Sequence, residues 1–311
     1  MTGWGLSLVT NPPPGSLGQM GESSSDRGAV VITGTSTGIG RAAALHLAGK
    51  GLRVFAGVRT ASDGKAVAAA LSSEAKGAGG SVEPLIIDVA DGESITRATA
   101  EVGERLGGSP LRGLVNNAGI GVGGPQEYLT LEDWRRQFEV NVFGLVDTTQ
   151  KLLPHLVRSR GRVVNVSSMS GRVATPLMGP YSASKFAVEG LTASLRMELR
   201  PFGVWAACVE PGAVKTEAWK KANEQLARYR VEIPAVALER YRERGARFER
   251  FLASGERRAV EAIRVARAIE HALLAARPRM RYPVGPDIRA VLVLQWLLPD
   301  RAFEWVLRKA L

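Results

Sequence analysis

Short apolar runs alternate with longer amphipathic stretches over residues 29–212. The apolar runs have the length and β-branched composition of buried strands, whereas apolar residues three and four positions apart indicate helices. The predicted strands are AVVITG, RVFAGVR, SVEPLIIDV, LRGLVNNAG, GRVVNVSS and VWAACVEPG. Regular alternation of this kind predicts parallel strands joined by helical crossovers. We therefore expect an α/β fold with a single domain, in which a doubly wound parallel sheet carries helices on both faces.

The predicted helices have recognisable ends. Glycine closes the first helix, GIGRAAALHLAGKG, and the second, KAVAAALSSEAKGAGG. Asp91 is the expected N-cap of the third helix, and Thr130 that of a long fourth helix, which reaches Ser159. A further helix starts near Tyr181. In such sheets, ligands bind at the carboxyl ends of the strands.

The two ends of the chain depart from this pattern. Residues 1–28 are rich in Pro, Gly and Ser and lack a signal-peptide pattern, so we expect a flexible tail. Residues 29–311 then form one domain, with a charged helical insertion at about 215–256 over the ligand-binding end of the sheet. Near the end, IRAVLVLQWLLPD is too short to cross a bilayer. We expect a core helix there, with an interfacial helix as the alternative.

Charge and composition exclude some classes of protein. The net charge of +11 is compatible with a nucleic acid, an anionic membrane or an anionic ligand. Glutamates are interspersed with the basic residues, which predicts solvated faces and no nucleic-acid binding. The single cysteine, Cys208, excludes an intrachain disulfide and fits a cytoplasmic protein. His46, His155 and His271 have no metal-ligand spacing, so we predict no metal site.

A glycine-rich turn, TGTSTGIG, separates the first strand from the first helix. Glycines there let the backbone approach a pyrophosphate at the helix N-terminus, and two hydroxyls can add donors. A plain glycine turn is the alternative. The candidate cofactor-binding residues of this turn are Gly34, Ser36, Thr37, Gly38, Ile39 and Gly40.

Polar and small residues also end the third and fourth strands. The Asp88 carboxylate, followed by Val89, can accept a hydrogen bond from an adenine amino group or can cap the next turn. In NNAG, the small Ala118 and Gly119 let a cofactor lie against the backbone, and Asn117 can bridge neighbouring strands. A structural turn is the alternative for NNAG.

The end of the second strand bears on the choice of cofactor. An NAD site needs an acidic group there for the ribose hydroxyl, but this chain has Val58 and Arg59. A guanidinium can bind a 2′-phosphate through a forked, charge-assisted contact. We therefore expect NADP, with NAD as the alternative, unless Arg59 only faces solvent.

The stretch GPYSASKFAVEG places Tyr181 and Lys185 one helical turn apart, on the same helix face. Either the tyrosine packs and the lysine is solvated, or the ammonium group makes the phenol more acidic.

Together these motifs resemble the short-chain dehydrogenase/reductase family. The resemblance rests on TGTSTGIG, Asp88, NNAG, Asn141 in EVNVFG, Ser168 in VVNVSS, YSASK and EPGAVKT, in that order. The C-terminal pattern resembles the branch near retinol, hydroxysteroid and 3-hydroxybutyrate dehydrogenases. The resemblance implies a Rossmann-like, NAD(P)-dependent oxidoreductase that interconverts a carbonyl compound and an alcohol.

The same resemblance implies the roles of individual residues. Tyr181 is the general acid/base, and Lys185 lowers its pKa and holds the nicotinamide ribose. Ser168 orients the substrate carbonyl, and Asn141 fixes a water in a proton relay. The loop that lines the nicotinamide contributes Pro211, Gly212, Val214 and Thr216.

The sequence indicates the substrate class and the partners less directly than it indicates the cofactor. An apolar pocket over Tyr181 predicts a lipophilic ketone or secondary alcohol, although these side chains can instead pack the loops themselves. The candidate lining residues are Met169, Val173, Leu177, Met178 and Trp219. Arg172 is expected to be a surface residue. The resemblance implies a homodimer or homotetramer. A catalytically silent nucleotide-binding regulator and a basic protein that binds nucleic acid or membrane are the competing classes.

Overall fold

The core of the protein is a parallel sheet. The computed structural model describes residues 28–74, 79–217, 219–220, 222, 224 and 233–310. Its strands are β1 (Ala29–Ile32), β2 (Arg53–Val58), β3 (Ser81–Ile86), β4 (Leu111–Asn116), β5 (Arg162–Val166), β6 (Trp205–Pro211) and β7 (Arg281–Val284). They form a 7-stranded sheet in the order β3-β2-β1-β4-β5-β6-β7, and every pair is parallel. The predicted doubly wound α/β fold is therefore confirmed.

The direction of sheet growth reverses beside β1. Ile32 at its end pairs with Ala56 of β2 on one side and with Val115 of β4 on the other. The connections that follow β1 and β4 therefore leave toward opposite edges. Such a reversal opens a crevice at the carboxyl ends of the strands, which is where ligands bind in open α/β sheets.

Helices cover both faces of the sheet. They are α1 (Gly38–Ala48), α2 (Ala61–Glu74), α3 (Gly92–Leu106), α4 (Leu131–Phe138), α5 (Gly144–Ser159), α6 (Gly179–Leu199), α7 (Ala235–Arg258), α8 (Ala262–Leu274), α9 (Pro286–Leu297) and α10 (Asp300–Ala310). On one face, Leu47 of α1 and Ile269 of α8 are fully buried against the strands. On the other face, Val102 of α3 and Leu152 of α5 are buried in a second cluster. Each such side chain contributes about 2 kcal/mol to stability when it leaves water.

The predicted helix caps form, but the fourth helix is not uniform. The Asp91 carboxylate accepts a hydrogen bond from Glu93 N at 2.9 Å, and Thr130 forms a capping box with Asp133. The long helix expected from Thr130 to Ser159 is present, and a π-helical turn at Glu139–Phe143, which was not predicted, separates α4 from α5 within it. Apolar periodicity does not register one inserted residue in a helix.

The last apolar run is not a core helix. In α9 only Ile288 is fully buried, whereas Trp296 is 84% exposed and Leu297 59% exposed. The prediction of a core position was wrong because α9 follows the edge strand β7, where little of the sheet remains to be covered. None of the helices in the described ranges is both long and apolar enough to span a bilayer.

Two predicted segments lie partly or wholly outside the description. The predicted N-terminal tail, residues 1–28, lies outside the described residues except for Gly28. The predicted insertion at 215–256 is described only in part, and there the 24-residue helix α7 occupies Ala235–Arg258.

Candidate active site

The glycine-rich turn lies tightly against the end of β4. Gly34 and Gly38 have φ angles of +69° and +59°, which L side chains rarely adopt. A Cβ atom on Gly34 would lie 2.8 Å from the Cα of Ala118, and one on Gly40 would overlap the carbonyl oxygen of Gly34. The turn therefore needs glycine at these positions to bring the N-terminus of α1 to the crevice.

A cleft of about 640 Å³ opens in front of this turn. It is lined by Ser36, Thr37, Gly38, Arg41, Ala42, Lys215, Thr216, Glu217 and Ala262. The N-terminus of α1, two hydroxyls and two cationic side chains together suit a pyrophosphate. These residues fit the nucleotide that the sequence predicts. Arg41 was missed at the sequence level, although its place after the last glycine of the motif is a signal.

Side-chain hydrogen bonds fasten β1 to β4 beneath the cleft. Asn117 Nδ2 donates to the carbonyls of Thr33 and Gly34 at 3.0 and 2.9 Å. Thr33 Oγ1 in turn accepts from the backbone N–H groups of Asn117 and Ala118, both at 3.1 Å. Asn117 thus bridges the two strands as the sequence suggested, and Thr33 is a partner that the sequence did not reveal.

The remaining candidates for the adenosine half lie at neighbouring strand ends. Arg59 directly follows β2 and is exposed. One oxygen of the Asp88 carboxylate accepts from Ala90 N at 3.0 Å, which caps the following turn. Val89 is buried, and its carbonyl packs against Gly144 of α5.

Ser168, Tyr181 and Lys185 meet at the carboxyl end of β5. Ser168 follows that strand, and the other two lie in the first turns of α6. Ser168 makes a side-chain hydrogen bond with the Tyr181 phenol. Lys185 is 6% exposed, and its Nζ donates to the Val166 carbonyl at 2.8 Å, 5.9 Å from the centroid of the Tyr181 ring.

Burial dominates the electrostatics of this group. It raises the pKa of Tyr181 above its ordinary value, and the hydrogen bond from Ser168 lowers that pKa in part. Burial lowers the pKa of Lys185 to about 8, against the smaller upward effects of Cys208 and Glu189. At neutral pH the site therefore holds a protonated phenol beside a buried ammonium group.

Asn141 lies in the π-helical turn, close to Lys185. Its Oδ1 accepts from Ile120 N at 2.8 Å, and its Nδ2 donates to the Ile120 carbonyl at 3.0 Å and to Ser184 Oγ at 3.1 Å. A Cβ atom on Gly119 would lie 3.3 Å from Asn141 Oδ1 and 3.7 Å from Lys185 Nζ. Both polar groups therefore border the small space at Gly119.

Gln137 extends the same polar group and was not singled out from the sequence. It is fully buried, its Oε1 accepts from Val122 N at 2.6 Å, and its Nε2 donates to the Ile120 carbonyl at 3.0 Å. Its position one helical turn before Asn141 was the available signal.

The loop after β6 closes the other side of the crevice. A Cβ atom on Gly38 would lie 3.2 Å from Thr216 Cγ2, so Thr216 borders the glycine-rich turn. Pro211 and Val214 are buried. Gly212 lies against the carboxylate of Asp287, which accepts from Ala213 N at 2.7 Å. Asp287, distant in sequence, thus holds the predicted nicotinamide loop.

The residues predicted to line an apolar pocket separate into two groups. A Cβ atom on Gly121 would lie 3.7 Å from Tyr181 Cδ2 and 3.9 Å from Met178 Cε, so Met178 stands beside the phenol. Trp219 instead donates through Nε1 to the Val214 carbonyl at 2.8 Å and packs against Gly255 of α7. Val173 is buried, while Met169 and Leu177 are half-buried.

Arg172 is not the surface residue that the sequence suggested. Its side chain is 28% exposed, and Nη1 lies 3.1 Å from Oε1 of the fully buried Glu210. This expectation was wrong because the partner lies 38 residues away in sequence, on β6.

The histidines make ordinary structural contacts. His46 pairs with Glu270 at 2.6 Å, His155 with Arg158 at 2.7 Å, and His271 with the Tyr282 hydroxyl at 3.0 Å. Within the part of the chain that the structure describes, no group of three or more His, Cys, Asp or Glu side chains could hold a metal ion.

The order of these elements and motifs matches a known sequence profile. The profile described as short chain dehydrogenase matches residues 28–227, which is well over half of the chain. The chain belongs to the short-chain dehydrogenase family. The resemblance noted in the sequence is thereby confirmed, and the protein is an oxidoreductase of this family with the cofactor class NAD(P).

Two named relatives and one solved structure show what this short-chain dehydrogenase is similar to. It is 34% identical over 286 residues to an NADPH-dependent 3-dehydrocapnine reductase of Ornithobacterium rhinotracheale, covering 90% of this chain and 96% of the relative. It is 35% identical over 287 residues to retinol dehydrogenase 5 of Mus musculus, covering 89% of this chain and 87% of the relative. A solved short-chain dehydrogenase from Streptomyces avermitilis superposes with a TM-score of 0.70 at 29% identity, covering 86% of this chain and 92% of that structure's chain.

The buried ammonium group of Lys185 predicts a conflict between stability and activity. Because the folded state lowers its pKa from 10.5 to about 8, Lys185 destabilises the fold below that pH, and the penalty fades as pH rises toward 10.5. Lys185→Met should raise the free energy of unfolding at neutral pH by up to about 3 kcal/mol while abolishing turnover. Urea denaturation of the nucleotide-free protein at neutral and alkaline pH measures this.

Lys65→Met is the matched control, because Lys65 is exposed on α2. It should leave both stability and its pH dependence unchanged. A Lys185→Met protein less stable than the wild type at neutral pH would mean that the ammonium group is compensated in the fold.

Proposed function

We propose that this short-chain dehydrogenase is NADP-dependent and interconverts a lipophilic ketone or aldehyde with the corresponding alcohol, using Tyr181 as general acid/base. One observation carries the proposal. The Tyr181 phenol is hydrogen-bonded to Ser168 and has the buried Lys185 one helical turn away, with Lys185 Nζ 5.9 Å from the centroid of the phenol ring.

Each of the four polar residues has a step that its position supports. Ser168 donates to the substrate carbonyl and orients it beside the phenol. Tyr181, whose pKa burial raises, is protonated at neutral pH and delivers its proton to the alkoxide oxygen. Asn141 and Lys185 border one space at Gly119, where a water can return that proton to the phenol. When bound, the reduced nucleotide supplies the hydride.

The raised pKa of Tyr181 favours the reductive direction near neutral pH. A phenol that keeps its proton is ready to act as an acid toward an alkoxide, whereas alcohol oxidation needs the phenolate first. We therefore expect alcohol oxidation to require a more alkaline pH than carbonyl reduction.

Two observations support a lipophilic substrate. A Cβ atom on Gly121 would lie 3.7 Å from Tyr181 Cδ2 and 3.9 Å from Met178 Cε, so an apolar side chain borders the phenol ring. The relative named retinol dehydrogenase 5 lies in the branch whose members include enzymes named for retinoids. Steroid-, retinoid- and lipid-like carbonyl compounds are thus the class to test.

Assembly and location belong to the same proposal. Large apolar side chains are exposed on α6 and just before α5, with Phe143 at 55%, Phe186 at 45% and Met197 at 70%. A homodimer or homotetramer that packs these long helices together would cover them. We also propose a cytoplasmic location, for which the single buried Cys208 is the support.

The choice of NADP over NAD depends on Arg59. Its guanidinium follows β2, where an acidic residue would repel a 2′-phosphate, and the relative from Ornithobacterium rhinotracheale is named NADPH-dependent. Arg59→Ala should weaken NADPH binding about 10- to 100-fold, because a charge-assisted contact is lost. The affinity for NADH should stay within about twofold. Titration of nucleotide fluorescence gives both dissociation constants.

Arg301→Ala, an exposed arginine on α10, is the control and should change neither affinity. If the NADPH preference survives in Arg59→Ala but is lost in Arg41→Ala, the phosphate contact belongs to Arg41 in the cleft. If neither nucleotide binds the wild-type protein, the oxidoreductase proposal fails.

A further inference from the structure

Four charged side chains form a cluster beside the Tyr181 helix and have no step in the proposed chemistry. Glu210 on β6 is fully buried, and its Oε1 lies 3.1 Å from Arg172 Nη1 and 3.3 Å from Arg281 Nε. Arg281 Nε also donates to Glu189 Oε2 at 3.0 Å. One carboxylate oxygen of Glu210 is therefore shared by two arginines that belong to different elements.

The first arginine is part of the turn that carries Ser168. In this turn Ser168 Oγ accepts from Ser170 N at 3.1 Å, its carbonyl accepts from Gly171 N at 2.9 Å, and Arg172 N donates to the Met169 carbonyl at 3.0 Å. These bonds join Arg172 and Ser168 in one tight unit. The Arg172 guanidinium and the Ser168 hydroxyl are therefore carried by the same turn.

The second arginine leads to the helix that carries Tyr181. Glu189 is 6% exposed on α6, one helical turn after Lys185, and Arg281 holds it from β7. Glu210 thus stands where the Ser168 turn and the Tyr181 helix are linked. The third segment at this point is the loop after β6, which begins after Pro211, the residue next to Glu210.

The cluster is poorly built for stability. Two buried carboxylate oxygens, Glu189 Oε1 and Glu210 Oε2, have no hydrogen-bond partner within the described residues. Burying like-charged carboxylates is costly, and apolar side chains often replace such clusters without loss of stability. A role in geometry explains the arrangement better than a role in stability does.

We propose that Glu210 is a positioning residue for the reaction at Tyr181. It holds Arg172, and with it the Ser168 turn, at a fixed place relative to the Tyr181–Lys185 helix. The inference rests on the proposed function for its kinetic consequence, but its structural part, the anchoring of the turn, stands apart from any substrate.

The charges that face Glu210 predict a dependence on pH. Burial and the Glu189 carboxylate raise its pKa to about 7, against the opposing effects of Arg172 on the turn and Arg281 on β7. Cys208, the other titratable neighbour, stays protonated because burial raises the pKa of its thiol. Below neutrality Glu210 gains a proton and its hold on Arg172 weakens, so kcat for carbonyl reduction should fall on the acid side.

The test compares wild-type protein with Glu210→Gln, which keeps the shape but removes the charge. With a fixed carbonyl substrate, kcat should fall about 10- to 100-fold, because a displaced Ser168 no longer aligns the carbonyl. The acid-side fall in kcat should disappear, and the NADPH dissociation constant should stay within about twofold. Hydrogen exchange of the amides of residues 170–173 should become at least about tenfold faster.

Glu83→Gln is the matched control. Glu83 on β3 is also held by two arginines, Arg53 at 2.6 Å and Arg105 at 2.5 Å, but it lies on the opposite edge of the sheet. These arginines hold the pKa of Glu83 at about 2, so the ionised carboxylate stabilises the folded state at neutral pH. The variant should therefore have a lower free energy of unfolding. Its kcat, pH profile and exchange at 170–173 should match the wild type.

The outcomes are distinct. The proposal is overturned if folded Glu210→Gln keeps kcat and its pH profile within about twofold, or if exchange at 170–173 is unchanged. It is also overturned if Glu83→Gln loses kcat to the same extent, since loss of stability alone would then explain the effect. If wild-type protein reduces no carbonyl compound, the proposed function fails, and exchange at 170–173 alone decides whether Glu210 anchors the turn.

Discussion

Replacement of Tyr181 by phenylalanine should lower kcat for carbonyl reduction by about a thousandfold or more, with little change in nucleotide affinity. The phenol is hydrogen-bonded to Ser168 and is the group to which we assign the proton transfer. Burial keeps it protonated at neutral pH. Without it, the alkoxide would have to take its proton from water. Steady-state kinetics and nucleotide fluorescence titration measure the two effects separately.

Tyr282→Phe is the control for this substitution. Tyr282 is also buried, but its hydroxyl contacts His271 and accepts from Arg279 N, at the far end of β7 from the crevice. It should cost stability and leave kcat unchanged. Turnover by Tyr181→Phe within about tenfold of wild type would show that another group supplies the proton.

Gly40→Ala should abolish useful nucleotide binding. A Cβ atom there would overlap the Gly34 carbonyl and lie 2.5 Å from Asn117 Nδ2, and neither neighbour can move freely because both fasten β1 to β4. The N-terminus of α1 would have to shift away from the cleft. We expect the affinity for NADPH to fall by about a hundredfold, equivalent to about 2.7 kcal/mol, together with a lower melting temperature.

Gly190→Ala provides the comparison, because a Cβ atom at this helical position has nothing within 4 Å. It should leave nucleotide affinity unchanged and stabilise α6 by about 0.5 to 1 kcal/mol. A Gly40→Ala protein that binds NADPH like the wild type would mean that the turn does not contact the pyrophosphate. Both variants are measured by calorimetry and nucleotide titration.

Much of the fold follows from local pattern. Buried strands appear as short β-branched runs and helices as apolar residues with helical spacing, so the alternation of elements over residues 29–212 was readable without coordinates. The caps at Asp91 and Thr130 were equally readable, because a cap depends on a few adjacent residues. The π-helical turn at Glu139–Phe143 was not readable, because it leaves the helix continuous on both sides.

The candidate site was partly readable for the same reason. Tyr181 and Lys185 share a helix face at any position in the fold, and the glycines of the first turn need no distant partner to be recognised. The roles of these residues in turnover stay predictions. Arg172 shows what the local sequence could not predict. Its contact with Glu210 depends on the pairing of β6 with β5, which only the structure reveals.

The sequence by itself determined the class of fold and the order of the motifs, because each depends on neighbours within a few positions, and it predicted the residues for proton transfer. The tertiary structure alone decided that α9 lies at the surface, that Asp287 holds the loop after β6, and that Glu210 lies between two arginines. These contacts join segments far apart in the chain. They depend on strand order and on burial, neither of which is encoded in the spacing of nearby residues.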